Sequence, residues 1–131
     1  MTGEPPDTQR TTLTIASGPL VGPVLARVVG MLAARADLPV DRLDDAVLVA
    51  DSIAACAPAY VRNGTVEVSV DTGPRRLELH VGPLKSGGGQ GLLSDSAVPG
   101  VGNVVERLAD ELWVSSEQDA DYLHIRLGAA A

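Results

Sequence analysis

Two short segments of strict period-two alternation constrain this chain more than any other feature. Val66, Val68 and Val70 lie on one side of the first segment, Leu77, Leu79 and Val81 on one side of the second, with Thr72-Gly73-Pro74 between them. Such alternation marks strands buried on one face only, and the Gly-Pro turn between them predicts a β-hairpin. The opposite face carries Glu67, Ser69, Asp71, Arg76, Glu78 and His80. An antiparallel sheet tolerates a solvated polar face, but its apolar face must be covered by other elements of the same chain.

The cover is legible as helices. From Val21, apolar residues recur at Val24, Leu25, Val28, Val29, Met31 and Leu32, the spacing of one helical face, and this helix should end near Ala36, before Pro39. A second helix is expected from Asp41, whose carboxylate can cap the free N–H groups of the first turn, with Asp44 and Asp45 also suited to a helix start. Its buried stripe would be Leu43, Val47, Leu48, Ala50, Ile53, Ala54 and Ala57, and Pro58 closes it. Thr11 to Ile15 alternates as a short strand, and Leu112 to Val114 and Leu123 to Leu127 alternate as a final pair. Between Gly82 and Gly100, where Gly87-Gly88-Gly89 and Gly91 fall, no apolar period is visible, which predicts a long functional or mobile loop. Val101, Val104, Val105, Leu108 and Leu112 then resume helical spacing as a third helix.

The resulting order is βααββαββ. It implies an α/β two-layer sandwich, a mixed, mostly antiparallel sheet of about five strands with three helices on one face. Residues 1–10 read as a flexible tail, 11–128 as one domain and 129–131 as a second tail. The core must be aliphatic: the 131 residues are 45% hydrophobic, with no Phe and only Trp113, Tyr60 and Tyr122 as aromatics.

A formal net charge of −7 would repel a phosphate backbone and argues against a general nucleic-acid binder. The single cysteine, Cys56, cannot form an internal disulfide, which suits a reducing compartment. No run of about 20 apolar residues is present, so a soluble, cytoplasmic protein without a membrane partner is expected.

Few residues suggest chemistry. His80 and His124 both alternate away from the core and read as solvated surface side chains rather than as a metal pair. Cys56 reads as a small buried hydrophobe. Gly100-Val101-Gly102-Asn103 opens the third helix, where exposed backbone N–H groups could hold an anion; a plain connector, with Asn103 as a first-turn polar residue, is the alternative. Trp113 and Tyr122 fall on the sheet face opposite the helices and could seed a partner or homodimer interface.

The element order and three stretches together resemble the histidine-kinase-like ATPase (GHKL) fold in its small single-domain form, the anti-sigma-factor serine kinases of the RsbW type. Leu43 to Ala57 is similar to that family's second helix, Pro99 to Val105 to the glycine-containing start of its third, and Leu108-Ala109-Asp110-Glu111-Leu112-Trp113-Val114 to the helix-to-strand passage that follows. The resemblance implies ATP and Mg²⁺ as cofactors, residues 83–99 as the ATP lid, and a sigma factor or an anti-sigma antagonist as protein partner. It aligns Asp51 with the family's catalytic glutamate and places Gly100, Gly102 and Asn103 at the phosphate end. It also places Ala55 where the family has its Mg²⁺-binding asparagine, and no acid follows the hairpin before Asp95 to read an adenine. Mg²⁺ requires hard oxygen ligands, which alanine cannot supply. The resemblance thus implies a regulatory protein-binding module with impaired or lost ATP binding; an active serine/threonine kinase anti-sigma factor and a homodimeric domain of unrelated function are the alternatives.

Overall fold

The computed structural model describes residues 9–98 and 100–128, the side chain of Val98 excepted. The chain runs β1 (Gln9–Ala16), α1 (Val21–Arg35), α2 (Val40–Cys56), a 3-10 turn (Ala57–Ala59), β2 (Thr65–Gly73) and β3 (Arg76–Leu84). It continues through α3 (Gly88–Asp95), the two-residue strands β4 (Ala97–Val98) and β5 (Gly102–Asn103), α4 (Val104–Leu108), β6 (Glu111–Glu117) and β7 (Ala120–Gly128). The main sheet has the order β1-β2-β3-β7-β6. All four of its pairings are antiparallel, so the sheet is not mixed.

The hairpin follows the alternation closely. Val66, Val68, Val70, Leu77, Leu79 and Val81 are all buried, and Leu123, Ile125 and Leu127 of β7 join them on the same face. Val21, Leu25, Val29, Leu32 and Ala33 of α1 and Ala46, Val49, Ala50, Ile53 and Ala54 of α2 complete the core. Small residues let the two helices lie close: a Cβ at Gly22 would stand 3.9 Å from that of Ala54, and one at Gly30 would stand 3.4 Å from Cγ2 of Val47.

Several expectations are corrected. β1 begins at Gln9, so strand pairing with β2 claims the last two residues assigned to the N-terminal tail; residues 1–8 and 129–131 lie outside the described residues. Asp41 is not the cap of α2: Pro39 occupies that position and Asp41 sits in the first turn, accepting from the N–H of Arg42. The buried stripe of α2 is rotated relative to the expected one. Ala46 and Val49 face the core, Leu43 and Val47 are half-buried, and Leu48 is 50% exposed. Met31 of α1 is likewise 53% exposed.

The largest difference lies between Gly82 and Gly100. The chain there is not an aperiodic loop: β3 continues to Leu84 through a register shift, and α3 follows. The described residues therefore hold four α-helices rather than three. The third helix expected, from Val101 onward, is confined to Val104–Leu108, and Leu112, which the alternation also placed at the start of a strand, lies in β6.

Candidate functional site

Two regions bear on function. The first holds the residues aligned with a nucleotide site. Asp51 and Ala55, one turn apart on α2, are both exposed. Gly100 and Gly102 are exposed and adopt positive φ, 80° and 100°, a region that L side chains rarely enter. Asn103 has structural partners: its Oδ1 accepts from the N–H of Glu106 at 3.0 Å, capping α4, and its Nδ2 donates to the carbonyl of Leu93 at 2.6 Å. Pro99 lies outside the described residues.

The segment expected as a lid is tied into the domain. Leu92 and Leu93 of α3 are buried with the core. Gly89 lies so close to Val114 that a Cβ would meet its Cγ1 at 2.6 Å, and at Gly91 a Cβ would meet the Tyr60 ring at 2.5 Å. The Tyr60 hydroxyl donates to Asp95 Oδ2 at 2.5 Å, and this bond to a carboxylate raises the phenol pKa. Cys56 is half-buried rather than fully buried, and its thiol donates to the carbonyl of Asp95 at 3.5 Å. These residues do not fit a Mg²⁺-nucleotide: where the resemblance places a metal ligand stands Ala55, which offers none, Asn103 is engaged in a helix cap, and α3 is held by apolar packing where the resemblance places a lid.

The second region is the open face of the sheet, where the two histidines, expected as solvated surface side chains, are half-buried and paired with each other. His80 on β3 and His124 on β7 are register partners, half-buried, with Nδ1 atoms 2.7 Å apart. The other nitrogen of His80 lies 3.1 Å from Asp71 Oδ2 and 3.4 Å from Glu78 Oε1. The other nitrogen of His124 lies 2.7 Å from the hydroxyl of Ser115 on β6. A continuous relay thus crosses four strands, carboxylates to imidazole to imidazole to hydroxyl.

Arginines and an aromatic frame this relay. Arg10 grips both oxygens of Asp71 at 2.6 and 2.8 Å. Its guanidinium holds the Asp71 carboxyl below the usual range, against the opposing pull of partial burial, and His80 adds to the lowering. Arg126 bonds Glu78 at 2.7 Å and also Glu111, and its guanidinium lies 5.9 Å from the Trp113 ring centre. Trp113, 39% exposed, stacks on His124 with centroids 5.0 Å apart. Burial and then the neighbouring His80 push the His124 pKa down, with Glu78 and Glu117 opposing.

Tyr122 crosses β3 at Gly82, where a Cβ would meet its ring at 2.6 Å. Tyr122 and Trp113 therefore do share the face opposite the helices, as their alternation implied, and Trp113 packs on the relay. Alternation also placed Ser69, Asp71, Glu78 and His80 on one face. It did not give the register that sets His80 opposite both Ser69 and His124, and Trp113 opposite His124.

No protein-family model and no curated protein matches the chain. Among the described residues no helix is long and apolar enough to cross a membrane.

Proposed function

We propose that this chain is an anti-sigma-factor-like regulatory domain of the histidine-kinase-like ATPase type that acts by binding a protein partner, such as a sigma factor or an anti-sigma antagonist, with ATP binding lost. The packing of α3 carries this reading. A nucleotide-binding domain of that type needs the segment after its central hairpin to stand over the phosphates. Here the same segment sends Leu92 and Leu93 into the core and is tied through Asp95 to Tyr60 and to Cys56 at the end of α2. Opening it would expose buried leucine surface at about 25 cal/mol per Å².

The order of elements, with a sheet of β1-β2-β3-β7-β6 behind one layer of helices, supports the family part of the proposal. The net charge of −7 suits a partner with a basic surface, which it would attract over long range. The test is calorimetric titration of the folded protein with ATP and ADP, with and without Mg²⁺, alongside retention of sigma factors and antagonists on the immobilised chain. The expected result is no nucleotide heat and retention of one such protein. Nucleotide binding tighter than about 100 μM that Mg²⁺ strengthens would overturn it.

A further inference from the structure

The geometry points to a binding site for a first-row divalent cation of the Zn²⁺ class on the open face of the sheet, with Asp71, Glu78 and His80 as its protein ligands. The three side chains each bring one donor atom within 4.8 Å of the others. His80 Nε2 lies 3.1 Å from Asp71 Oδ2 and 3.4 Å from Glu78 Oε1. Donors joined to one ion by bonds of about 2.0–2.2 Å at near-tetrahedral angles stand about 3.1–3.6 Å apart, so both histidine–carboxylate separations already fit, and the two carboxylate oxygens, within 4.8 Å of each other, close onto the ion by side-chain rotation. One imidazole nitrogen with two carboxylate oxygens is a donor set for Zn²⁺ and its transition-metal neighbours, whereas Mg²⁺ and Ca²⁺ prefer oxygen alone.

The surroundings suit a ligating histidine. Such a residue donates its second ring N–H to a fixed acceptor, which sets the tautomer. His80 Nδ1 meets His124 Nδ1 at 2.7 Å, and His124 Nε2 meets the Ser115 hydroxyl at 2.7 Å. A hydroxyl both donates and accepts, so the relay can run in either direction. Without an ion, His80 Nε2–H donates to the carboxylates, His124 Nδ1–H donates to His80, and Ser115 donates to His124. With an ion on His80 Nε2, His80 Nδ1–H donates to His124, and His124 Nε2–H donates to Ser115. Each ring keeps one proton in both states, so the ion takes a lone pair without leaving a buried donor unpaired.

The carboxylates keep capacity for an ion. Glu78 is held by Arg126 through Oε2, while Oε1 faces His80. Asp71 is shared between Arg10 and His80, and an ion at its Oδ2 would replace the His80 N–H there. Access is open: a hollow of about 300 Å³ borders His80, His124 and Ser115, and another of about 200 Å³ borders Asp71 and Glu78. Water can complete the coordination from either side. The site is separate from the helix-side region and does not depend on whether nucleotide binds there.

The experiment is calorimetric titration of Zn²⁺ into the full chain after removal of metals with EDTA and dialysis at neutral pH, with imidazole ¹⁵N shifts read in parallel. The expected result is one ion per chain at micromolar or tighter affinity, a metal-induced shift at Nε2 of His80, and no displacement by excess Mg²⁺. His80→Ala should abolish binding and Glu78→Gln should weaken it at least tenfold. His124→Ala, which removes only the positioning contact, should weaken it about 10–100-fold. Zn²⁺ should also raise the melting temperature of the unaltered protein, and at the same concentration raise that of Glu78→Gln, a near-isosteric change, by clearly less. Absence of binding to the unaltered protein up to about 1 mM, or binding that survives His80→Ala and Glu78→Gln unchanged, would overturn the assignment.

Discussion

His80 and His124 face each other across β3 and β7 with their Nδ1 atoms 2.7 Å apart, so a proton on one of the two atoms excludes a proton on the other. Burial first, and the neighbouring ring second, hold the His124 pKa below its usual value of about 6.5. Trp113, the sole tryptophan, stacks on His124 and reports its charge, because an imidazolium quenches indole emission. In EDTA, the emission of Trp113 should therefore fall with a midpoint below that of free histidine, and His80→Ala should move the midpoint upward. Stability follows the same sign: a depressed folded-state pKa contributes stabilisation that is present above about pH 6.5 and is lost as pH falls through the folded value. A Trp113 transition at or above the free-histidine value would contradict the pairing.

The state of α3 is tested by substitution at one buried and one exposed position. Leu92 is fully buried in α3, and Leu92→Ala should cost about 2–5 kcal/mol in denaturant unfolding, as core truncations do. Asp51 is exposed on α2, and Asp51→Ala should stay within about 0.5 kcal/mol of the unaltered protein. A Leu92→Ala variant of unchanged stability would mean that the segment after the hairpin stands clear of the core.

Glycines separate crowded from open helix packing. In α3, Gly89→Ala would push a methyl to 2.6 Å from Val114 Cγ1, and Val is stiff about χ1, so overpacking of about 1–3 kcal/mol outweighs the helix-propensity gain of about 1 kcal/mol. In α1, Gly22→Ala would place its methyl at an ordinary 3.9 Å from Ala54 and should stabilise by up to about 1 kcal/mol. Thermal melts of the two variants should move in opposite directions, by a few degrees each.

The contrast between these glycines also explains what sequence alone could reveal. Period-two alternation at Val66, Val68, Val70, Leu77, Leu79 and Val81 is a local property, and it located the core face of the hairpin residue by residue. The stripe of α2 was only partly legible because its face is rich in alanine: Ala50, Ile53 and Ala54 are buried as expected, but Ala46 and Val49 take the core positions that Leu48 was expected to share, and an alanine carries little apolar signal to mark its face. α3 was hidden for the same reason. Gly88, Gly89 and Gly91 read as breakers, yet Gly89 and Gly91 are there because Val114 and Tyr60 leave no room for a Cβ. Those neighbours lie more than 20 positions away along the chain, and no local window contains them. The relay on the open face was half legible: alternation gave the face of His80 and of His124, while their contact depends on the β3–β7 register. Asn103 was legible as a polar residue at a helix start with two roles left open, and in the structure it is the cap of α4, its Oδ1 accepting from the Glu106 N–H.

Arg42 closes the end of the domain where α2, α4 and β7 meet. Its Nε donates to the carbonyl of Gly128 at 2.9 Å, and its Nη1 to Asp45 at 2.9 Å and to the carbonyl of Leu108 at 3.1 Å. Its Nη2 donates to Asp110 at 3.2 Å, and Asp110 in turn accepts from the N–H of Gly128 at 2.7 Å. One half-buried guanidinium thus satisfies two backbone carbonyls and joins two carboxylates that would otherwise repel. Arg42→Ala should cost about 1–3 kcal/mol, because each carbonyl left partly desolvated loses its donor. Arg42→Lys should recover only part of this, since an ammonium presents a single point of contact and cannot span four acceptors in one plane. Hydrogen exchange distinguishes this from a plain surface ion pair: the Gly128 amide and the end of β7 should lose protection in Arg42→Ala, while the β2–β3 pairing keeps it. Uniform protection across β7 in that variant would show that the sheet end holds without the arginine.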